Sequence, residues 1–247
     1  MNPLPGELVT VMRGSGRSYV ALVGLILMAI LGFVWVVRLV FIKQSVVDDS
    51  SERTLGFTCT RQTCQAMTRT PPTSCDGFVE DEIDLTGDGI SEQIRRTGKS
   101  VCVFQDNTEV WCSPYEWQVV DFALGDPNDD GRYEILLAFW EENAQGVLHS
   151  QPFIVGYREG QYRTVWGGSP VSEPIYEIAL GDVDGDGTQN LVLLDAAGEA
   201  GRAVSVWRWY GWGFSLMWRS AVGHYRCLTV VPRDVGEPAV IAVKNTP

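Results

Sequence analysis

The chain has 247 residues, a formal net charge of −12 at pH 7, six cysteines and two histidines. With 45% hydrophobic and 20% charged residues, its composition is that of a globular protein, which excludes a collagen-like, coiled-coil or wholly disordered chain. A pI near 4.6 argues against nucleic acid as a partner, because neutralising phosphates requires clustered lysine and arginine side chains. The scarcity of histidine also disfavours a histidine-based catalytic site.

The first feature along the chain is a long apolar run. Residues 19–37 carry no charged side chain, and LVFI at 39–42 extends the run past Arg38. About 20 helical residues cross a hydrocarbon core of about 30 Å. The run is longer than the core of a signal peptide, about 7–15 residues, and no A-x-A-like cleavage site follows it. We therefore predict an N-terminal tail over 1–18 and one uncleaved transmembrane helix over 19–42, anchored in membrane lipid.

The charges around the predicted span do not orient it, since two arginines precede it and Arg38 and Lys43 lie at its other end. All six cysteines follow the span, which favours an oxidising compartment for that part of the chain. Free thiols in a cytoplasmic domain are the alternative. We predict a single-pass membrane protein with a cytoplasmic N terminus and an extracytoplasmic C-terminal domain, either periplasmic or at the cell surface.

Residues 43–77 form a polar connector rich in cysteine, proline and threonine. The cysteine spacings match neither a zinc site nor a haem-attachment motif. Cys102 and Cys112 are placed to face each other across a hairpin, but six cysteines allow 15 connectivities and the sequence does not choose among them. The six are Cys59, Cys64, Cys75, Cys102, Cys112 and Cys227.

Three acidic segments then repeat one pattern: 84–92 (loop 1, DLTGDGISE), 126–134 (loop 2, DPNDDGRYE) and 182–190 (loop 3, DVDGDGTQN). Each has oxygen-bearing side chains at positions 1, 3, 5 and 9 and glycine at position 6. Calcium takes about 6–8 oxygen ligands, which alternate residues of such a turn can supply. An Asp/Gly-rich turn without an ion is the alternative. The candidate metal ligands are Asp84, Thr86, Asp88 and Glu92 in loop 1, Asp126, Asn128, Asp130 and Glu134 in loop 2, and Asp182, Asp184, Asp186 and Asn190 in loop 3.

An EF-hand begins with the same pattern, but it requires glutamate at position 12 and a helix on each side. Position 12 is occupied by Arg95, Leu137 and Leu193 in the three loops. The flanking segments, such as QVVDFAL before loop 2, are short and rich in branched and aromatic residues, which predicts strands. The EF-hand is therefore excluded.

Aromatic residues repeat between the loops, around glycine-containing hairpin tips, at an offset of 52 residues. The same offset from Asp182 places Asp234 at the start of a shortened fourth copy, which lacks the oxygen pattern and should bind no metal. Units of about 40–55 residues with four short strands are typical of β-propeller blades. We predict an all-β, partial propeller of about three and a half blades over 78–247, in which the blades form an open arc or a partner or the cysteine-rich segment fills the gap. The repeated aromatics are Tyr157, Tyr162 and Trp166, matched by Trp209, Phe214 and Trp218.

The loops resemble the FG-GAP/VCBS repeats of integrin α-chain-like propellers, above all in LGDVDGDGTQNLVLL at 180–194. The resemblance covers roughly 78–243, and loop 1 departs from it at Thr86. It implies structural Ca²⁺ in up to three loops on one rim of the propeller, with loop 3 the best match, and a role in adhesion or ligand binding outside the cell. Family propellers usually have about seven blades, so this chain has room for only half.

No nucleophile, redox or phosphate-binding motif accompanies the repeats, so we predict a protein that is not an enzyme. We expect the extracytoplasmic domain to dock other protein subunits, as an accessory or scaffold subunit of a larger membrane complex; a respiratory or photosynthetic complex would fit, although no residue specifies one. A free-standing surface adhesin or receptor for a glycan or an extracellular protein is the alternative. Trp212, at a predicted hairpin tip, is the candidate contact residue.

Overall fold

The computed structural model of the protein describes residues 53–67, 80–142, 145–146, 148–168, 171, 174–198, 201–234 and 236–246. The predicted tail (1–18) and transmembrane helix (19–42) lie outside the described residues. Within the described ranges, no helix has the length and apolar character to cross a membrane.

The described part of the chain contains sixteen β-strands, which confirms the predicted all-β class. The strands are β1 Arg53–Cys59, β2 Cys64–Ala66, β3 Glu80–Ile83, β4 Glu92–Thr97, β5 Ser100–Gln105, β6 Thr108–Cys112, β7 Gln118–Gly125, β8 Glu134–Glu142, β9 Leu148–Arg158, β10 Gln161–Gly167, β11 Ile175–Gly181, β12 Asn190–Ala197, β13 Gly201–Trp209, β14 Phe214–Arg219, β15 Tyr225–Val231 and β16 Val240–Asn245.

The strands form four antiparallel, four-stranded sheets, each of which is one blade of a propeller. Blade 1 has the order β3-β4-β5-β6, blade 2 the order β7-β8-β9-β10, blade 3 the order β11-β12-β13-β14, and blade 4 the order β15-β16-β1-β2. The propeller is therefore confirmed, but the predicted count of three and a half blades is wrong, because blade 4 is complete.

Blade 4 is completed by the segment predicted to be a connector. β1 pairs with β16 from Arg53 opposite Asn245 to Phe57 opposite Ile241, and β2 adds to the other edge of β1. Without β1, the outer edge of β16 would expose a row of unpaired backbone groups, which is costly and prone to aggregation. The cysteine-rich segment therefore completes the fourth blade, so the described propeller strands begin at Arg53, before the predicted start at 78.

The blades pack through apolar residues that alternate along the second strand of each sheet. In β8, Ile135, Leu137 and Phe139 belong to the core between blades 1 and 2, whereas Leu136 and Ala138 belong to the core between blades 2 and 3. Because successive side chains of a strand point to opposite faces, a strand buried on both faces is apolar throughout. Each fully buried Leu, Ile or Phe contributes about 1.5–3 kcal/mol. A third core joins blades 3 and 4.

Two disulfides link residues directly opposite each other on neighbouring strands. Cys59 joins Cys64 across β1 and β2, and Cys102 joins Cys112 across β5 and β6. The second of these confirms that Cys102 and Cys112 face each other. Cys227 in β15 is also disulfide-bonded.

The antiparallel order decides which loops share an end of the propeller. In each blade, the first-to-second and third-to-fourth connections lie at one end, and the second-to-third connection lies at the other. Loops 1, 2 and 3 connect first to second strands, so they lie at the same end as the hairpin tips between third and fourth strands. We call this the loop end.

Candidate metal centres at the loop end

The aspartate at position 1 holds each acidic turn together. In loop 3, Asp182 accepts hydrogen bonds from the backbone N–H of Gly185 at 2.7 Å and of Gly187 at 3.0 Å. Gly187 has φ of 90°, the left-handed conformation expected of glycine at position 6. Asp84 makes the same bonds in loop 1, where the Gly89 N–H lowers the pKa of its carboxyl group. The repeated pattern therefore specifies a turn that is held by its first carboxylate.

The side chain at position 9 is fully buried in all three loops, but its partners differ. Glu92 accepts the Leu85 N–H at 2.8 Å in loop 1, and Asn190 accepts the Val183 N–H at 3.0 Å in loop 3. These acceptors brace the residue at position 2.

Loop 2 has Pro127 at position 2, which provides no N–H. Its position 9 residue, Glu134, therefore lacks the partner that braces loops 1 and 3, and its buried Oε2 atom has no hydrogen-bond partner. Burial raises the pKa of Glu134 to about 7, since removal from water penalises the charged form. Loop 2 thus contains a buried carboxylate oxygen that accepts no hydrogen bond and could bind a cation.

In loops 2 and 3 the predicted ligands converge. Asp126, Asp130 and Glu134 in loop 2 each offer a carboxylate oxygen within 4.8 Å of the others. Asn128 lies beside them and accepts the Asp130 N–H at 3.3 Å. This group presents the hard oxygen donors that calcium prefers.

Asp182, Asp184 and Asp186 form the equivalent group in loop 3, again with oxygens within 4.8 Å of one another. The Asp184 side chain is fully buried, its Oδ1 atom has no hydrogen-bond partner, and burial raises its pKa. Asn190 is brought next to the group, but its Oδ1 already accepts the Val183 N–H.

Loop 1 is closed differently. The Thr86 hydroxyl donates to Glu92 at 3.3 Å and to Asp84 at 3.5 Å, and Asp88 accepts the Ile90 N–H at 2.8 Å. Among the described residues, the acids of loop 1 do not form a group with oxygens within 4.8 Å of one another. The cluster of Cys102, Cys112 and Glu109 meets that distance, but its sulfurs are joined in a disulfide and cannot bind a metal.

Two arginines that sequence reasoning missed lie on the converging carboxylates. In loop 3, Arg208 Nη2 hydrogen-bonds to Asp184 and lies 2.7 Å from Asp186 Oδ2. In loop 2, Arg158 Nη2 hydrogen-bonds to Glu134 and lies 2.7 Å from Asp130 Oδ2. Both arginines lie near the loop end of the third strand of their blade, and this position was the available signal.

Sequence reasoning also missed two acids on the innermost strands that link neighbouring blades. Asp121 of blade 2 accepts the Ile178 N–H of blade 3 at 2.9 Å, and Glu177 of blade 3 accepts the Leu228 N–H of blade 4 at 2.6 Å. Burial raises the pKa of Asp121 to about 6. These strands, together with Asp81 of blade 1, line a cavity of about 460 Å³ on the propeller axis.

Exposed apolar side chains surround the acidic loops. Ile90 in loop 1, Tyr133 in loop 2, and Tyr210 and Trp212 at the blade 3 hairpin tip are all exposed, with Trp212 at 76%. Trp209 beside this tip packs instead in the core between blades 2 and 3. The residues just described thus define an all-β, four-bladed propeller whose loop end combines carboxylates with exposed aromatics.

No protein-family model matches the chain, and no curated protein sequence matches it. Among solved structures, 18 chains match. One is BBS1N in complex with ARL6DN, from a crystal soaked with lead, with 13% identity, a TM-score of 0.31, and coverage of 68% of this chain and 65% of that one. The same complex soaked with mercury has 14% identity, a TM-score of 0.32, and coverage of 74% of this chain and 68% of that one. The chain spans 65% of the length of the first of these.

Proposed function

We propose that this chain is a non-catalytic, single-span membrane protein whose extracytoplasmic propeller docks other protein subunits through its loop end, as an accessory or scaffold subunit of a larger complex. Calcium in the acidic loops shapes that end, as in the FG-GAP/VCBS repeats that the loops resemble. The N-terminal apolar run at 19–42 is the membrane anchor.

The main support for the docking proposal is the exposed aromatic hairpin tip of blade 3. Trp212 and Tyr210 project from a four-residue tip, and the Trp212 carbonyl accepts the indole N–H of Trp166 at 3.1 Å. This bond links the tip to blade 2. Exposed aromatic side chains on a fixed backbone are favoured anchors of protein interfaces, because they bury large areas at little entropic cost.

The oxygen groups of loops 2 and 3 fit calcium, since each contains a fully buried carboxylate oxygen without a hydrogen-bond partner. A cation at these positions would reduce the repulsion among three carboxylates. Its role is structural, because binding to the folded state alone stabilises the fold by mass action.

Two disulfides among the described residues support an extracytoplasmic location. Disulfides form and persist in oxidising compartments and are rare in the cytosol. Together with the preceding apolar run, they favour a cytoplasmic N terminus.

Trp212 and Tyr210 also suit a second function, an adhesin or receptor that binds a glycan, because aromatic rings stack on sugar faces. The same two residues would carry it, so the experiment must separate the two ligands.

The test replaces both tip residues, Trp212→Ala and Tyr210→Ala, in the full chain expressed in its native membrane. Solubilisation in detergent, purification and mass spectrometry then measure which subunits remain bound in stoichiometric amounts. Tyr115→Ala is the matched control, since Tyr115 is 94% exposed but lies at the opposite end of the propeller.

We expect stoichiometric partners with the wild-type chain and the Tyr115 variant and their loss with the tip variant. A wild-type chain without companions, or partners retained by the tip variant, would contradict the proposal. Binding of the wild-type chain to a glycan array, lost in the tip variant, would favour the adhesin.

A further inference from the structure

The arginines on loops 2 and 3 both come from the third strand of their blade, but from different positions. Arg208 directly follows the residue that pairs with Leu191, whereas Arg158 lies three residues after the residue that pairs with the equivalent Ile135. Arg158 is the last residue of β9 and Arg208 the penultimate residue of β13, each just before the hairpin tip. Each places one Nη2 atom against two carboxylates of its own loop, so a single positive charge lies inside each acidic group. Two blades thus place an arginine in their acidic group from the same strand, although from different positions along it.

Blade 1 provides the natural comparison. Its third strand ends at Gln105, which pairs with Thr108 next to the tip, as Arg158 pairs with Gln161 in blade 2. A neutral residue therefore stands where blade 2 has an arginine. Loop 1 is also the loop whose acids do not converge, since Thr86 replaces one acid and hydrogen-bonds to two others.

The guanidinium groups leave part of each acidic group unsatisfied. Glu134 Oε2 and Asp184 Oδ1 are buried without partners, although the other oxygen of each carboxylate binds an arginine. Both side chains are fully buried. Buried oxygens of this kind within a converging oxygen group point to a ligand with more positive charge than one guanidinium, namely a divalent cation.

We propose that Arg158 and Arg208 are built-in counter-ions that compete with calcium, and so determine whether loops 2 and 3 take up a divalent cation. This inference rests on the proposed role of calcium. The guanidinium and the cation cannot share the same oxygens, because both are positive and each would lie within a few ångströms of the other. Calcium binding therefore requires each arginine to leave its carboxylates.

The consequence is a loop that is held together with or without calcium. Without the ion, the arginine offsets the repulsion among the carboxylates. With the ion, the arginine is released toward the hairpin tip, and in blade 3 that tip includes Tyr210 and Trp212.

The test compares calcium binding by the wild-type chain and by Arg208→Gln and Arg158→Gln, each full length and purified in detergent. Isothermal titration with calcium chloride measures affinity and stoichiometry, and thermal unfolding in EGTA and in calcium provides a second readout. Arg219→Gln is the matched control, because Arg219 also binds a fully buried carboxylate of blade 3, Asp195, which lies outside the acidic loops.

We expect each loop variant to bind calcium about tenfold more tightly than the wild-type chain, or to gain a site that the wild-type chain lacks. In EGTA each loop variant should unfold at a lower temperature than the wild-type chain, and calcium should restore its stability. Arg219→Gln should be destabilised equally in both conditions, with calcium affinity unchanged.

Three other outcomes are informative. Equal affinity in the wild-type chain and both loop variants overturns the inference and leaves the proposed calcium role in place. No binding by any chain overturns both. Loop variants that stay unfolded with and without calcium overturn the inference, because the ion then fails to replace the guanidinium.

Discussion

Loop 1 and loop 3 follow the same sequence pattern and yet balance their charges in different ways. Loop 1 closes through the Thr86 hydroxyl, which binds the carboxylates on either side of it. Loop 3 has three converging aspartates and an arginine from a neighbouring strand. The comparison teaches that a match to the ligand pattern alone does not rank the sites, since the best match, loop 3, is also the loop where an arginine already binds the carboxylates.

The largest expected effect concerns calcium. At a calcium concentration about 100 times Kd, binding at one site of the folded chain alone should add about 2.7 kcal/mol to the free energy of unfolding. Asp186→Asn should remove most of the contribution of loop 3 and leave that of loop 2, whereas Asp88→Asn in loop 1 should leave both unchanged. Urea unfolding with calcium and with EGTA measures both. A larger loss of calcium-dependent stability with Asp88→Asn than with Asp186→Asn would show that loop 1, and not loop 3, is the stronger calcium site.

The second prediction distinguishes loop 1 from loop 2 by the way each makes the free energy of unfolding depend on pH. Burial raises the pKa of Glu134 in the folded chain to about 7, above its value of 4.5 in the unfolded chain. The folded state therefore binds more protons between these values, and the free energy of unfolding should fall by about 2 kcal/mol as the pH rises from 4.5 to 7. In loop 1 the pKa of Asp84 is lowered, so its contribution is lost as the pH falls below about 4.

Urea unfolding in EGTA over this pH range measures these two contributions. Glu134→Gln should remove the decline between about pH 6 and 7 and leave the decline at lower pH that Asp121 contributes, since burial raises the pKa of Asp121 to about 6. Asp84→Asn should leave both parts of the decline intact. An unchanged pH profile for Glu134→Gln would show that another group is responsible.

The smallest effect tests the brace that loops 1 and 3 share and that loop 2 lacks. Asn190→Leu removes the acceptor of the buried Val183 N–H and should cost about 1.5 kcal/mol of unfolding free energy. Asn190→Asp keeps an acceptor at this place and should retain the hydrogen bond. Thermal unfolding in EGTA measures both variants, and equal stability of Asn190→Leu and the wild-type chain would remove the bracing role.

The strands and loops of blades 1 to 3 could be predicted because their signals are local. The apolar run EILLAF of β8, for example, reports a strand buried on both faces. The Cys102–Cys112 disulfide was also within reach, because a hairpin brings its two residues opposite each other.

The completion of blade 4 could not be predicted in this way. β1 has seven residues and β2 has three, with little alternation, and Arg53 pairs with a residue at the far end of the sequence, Asn245. The hydrophobic periodicity of a short segment does not specify a pairing strand so distant in the sequence. The arginines of loops 2 and 3 were missed for a related reason, since their contacts follow from which connections share an end of a blade.

Blade 4 also sets an order on folding during synthesis. β1 is made before every other described strand, and the strand that pairs with its free edge, β16, is made after all of them. Blade 4 therefore cannot form until Asn245 has left the ribosome, and until then β1 and β2 form only an isolated two-stranded hairpin, which is marginally stable. The first described strands thus wait for the last one, and synthesis of β16 is the event that completes the fourth blade.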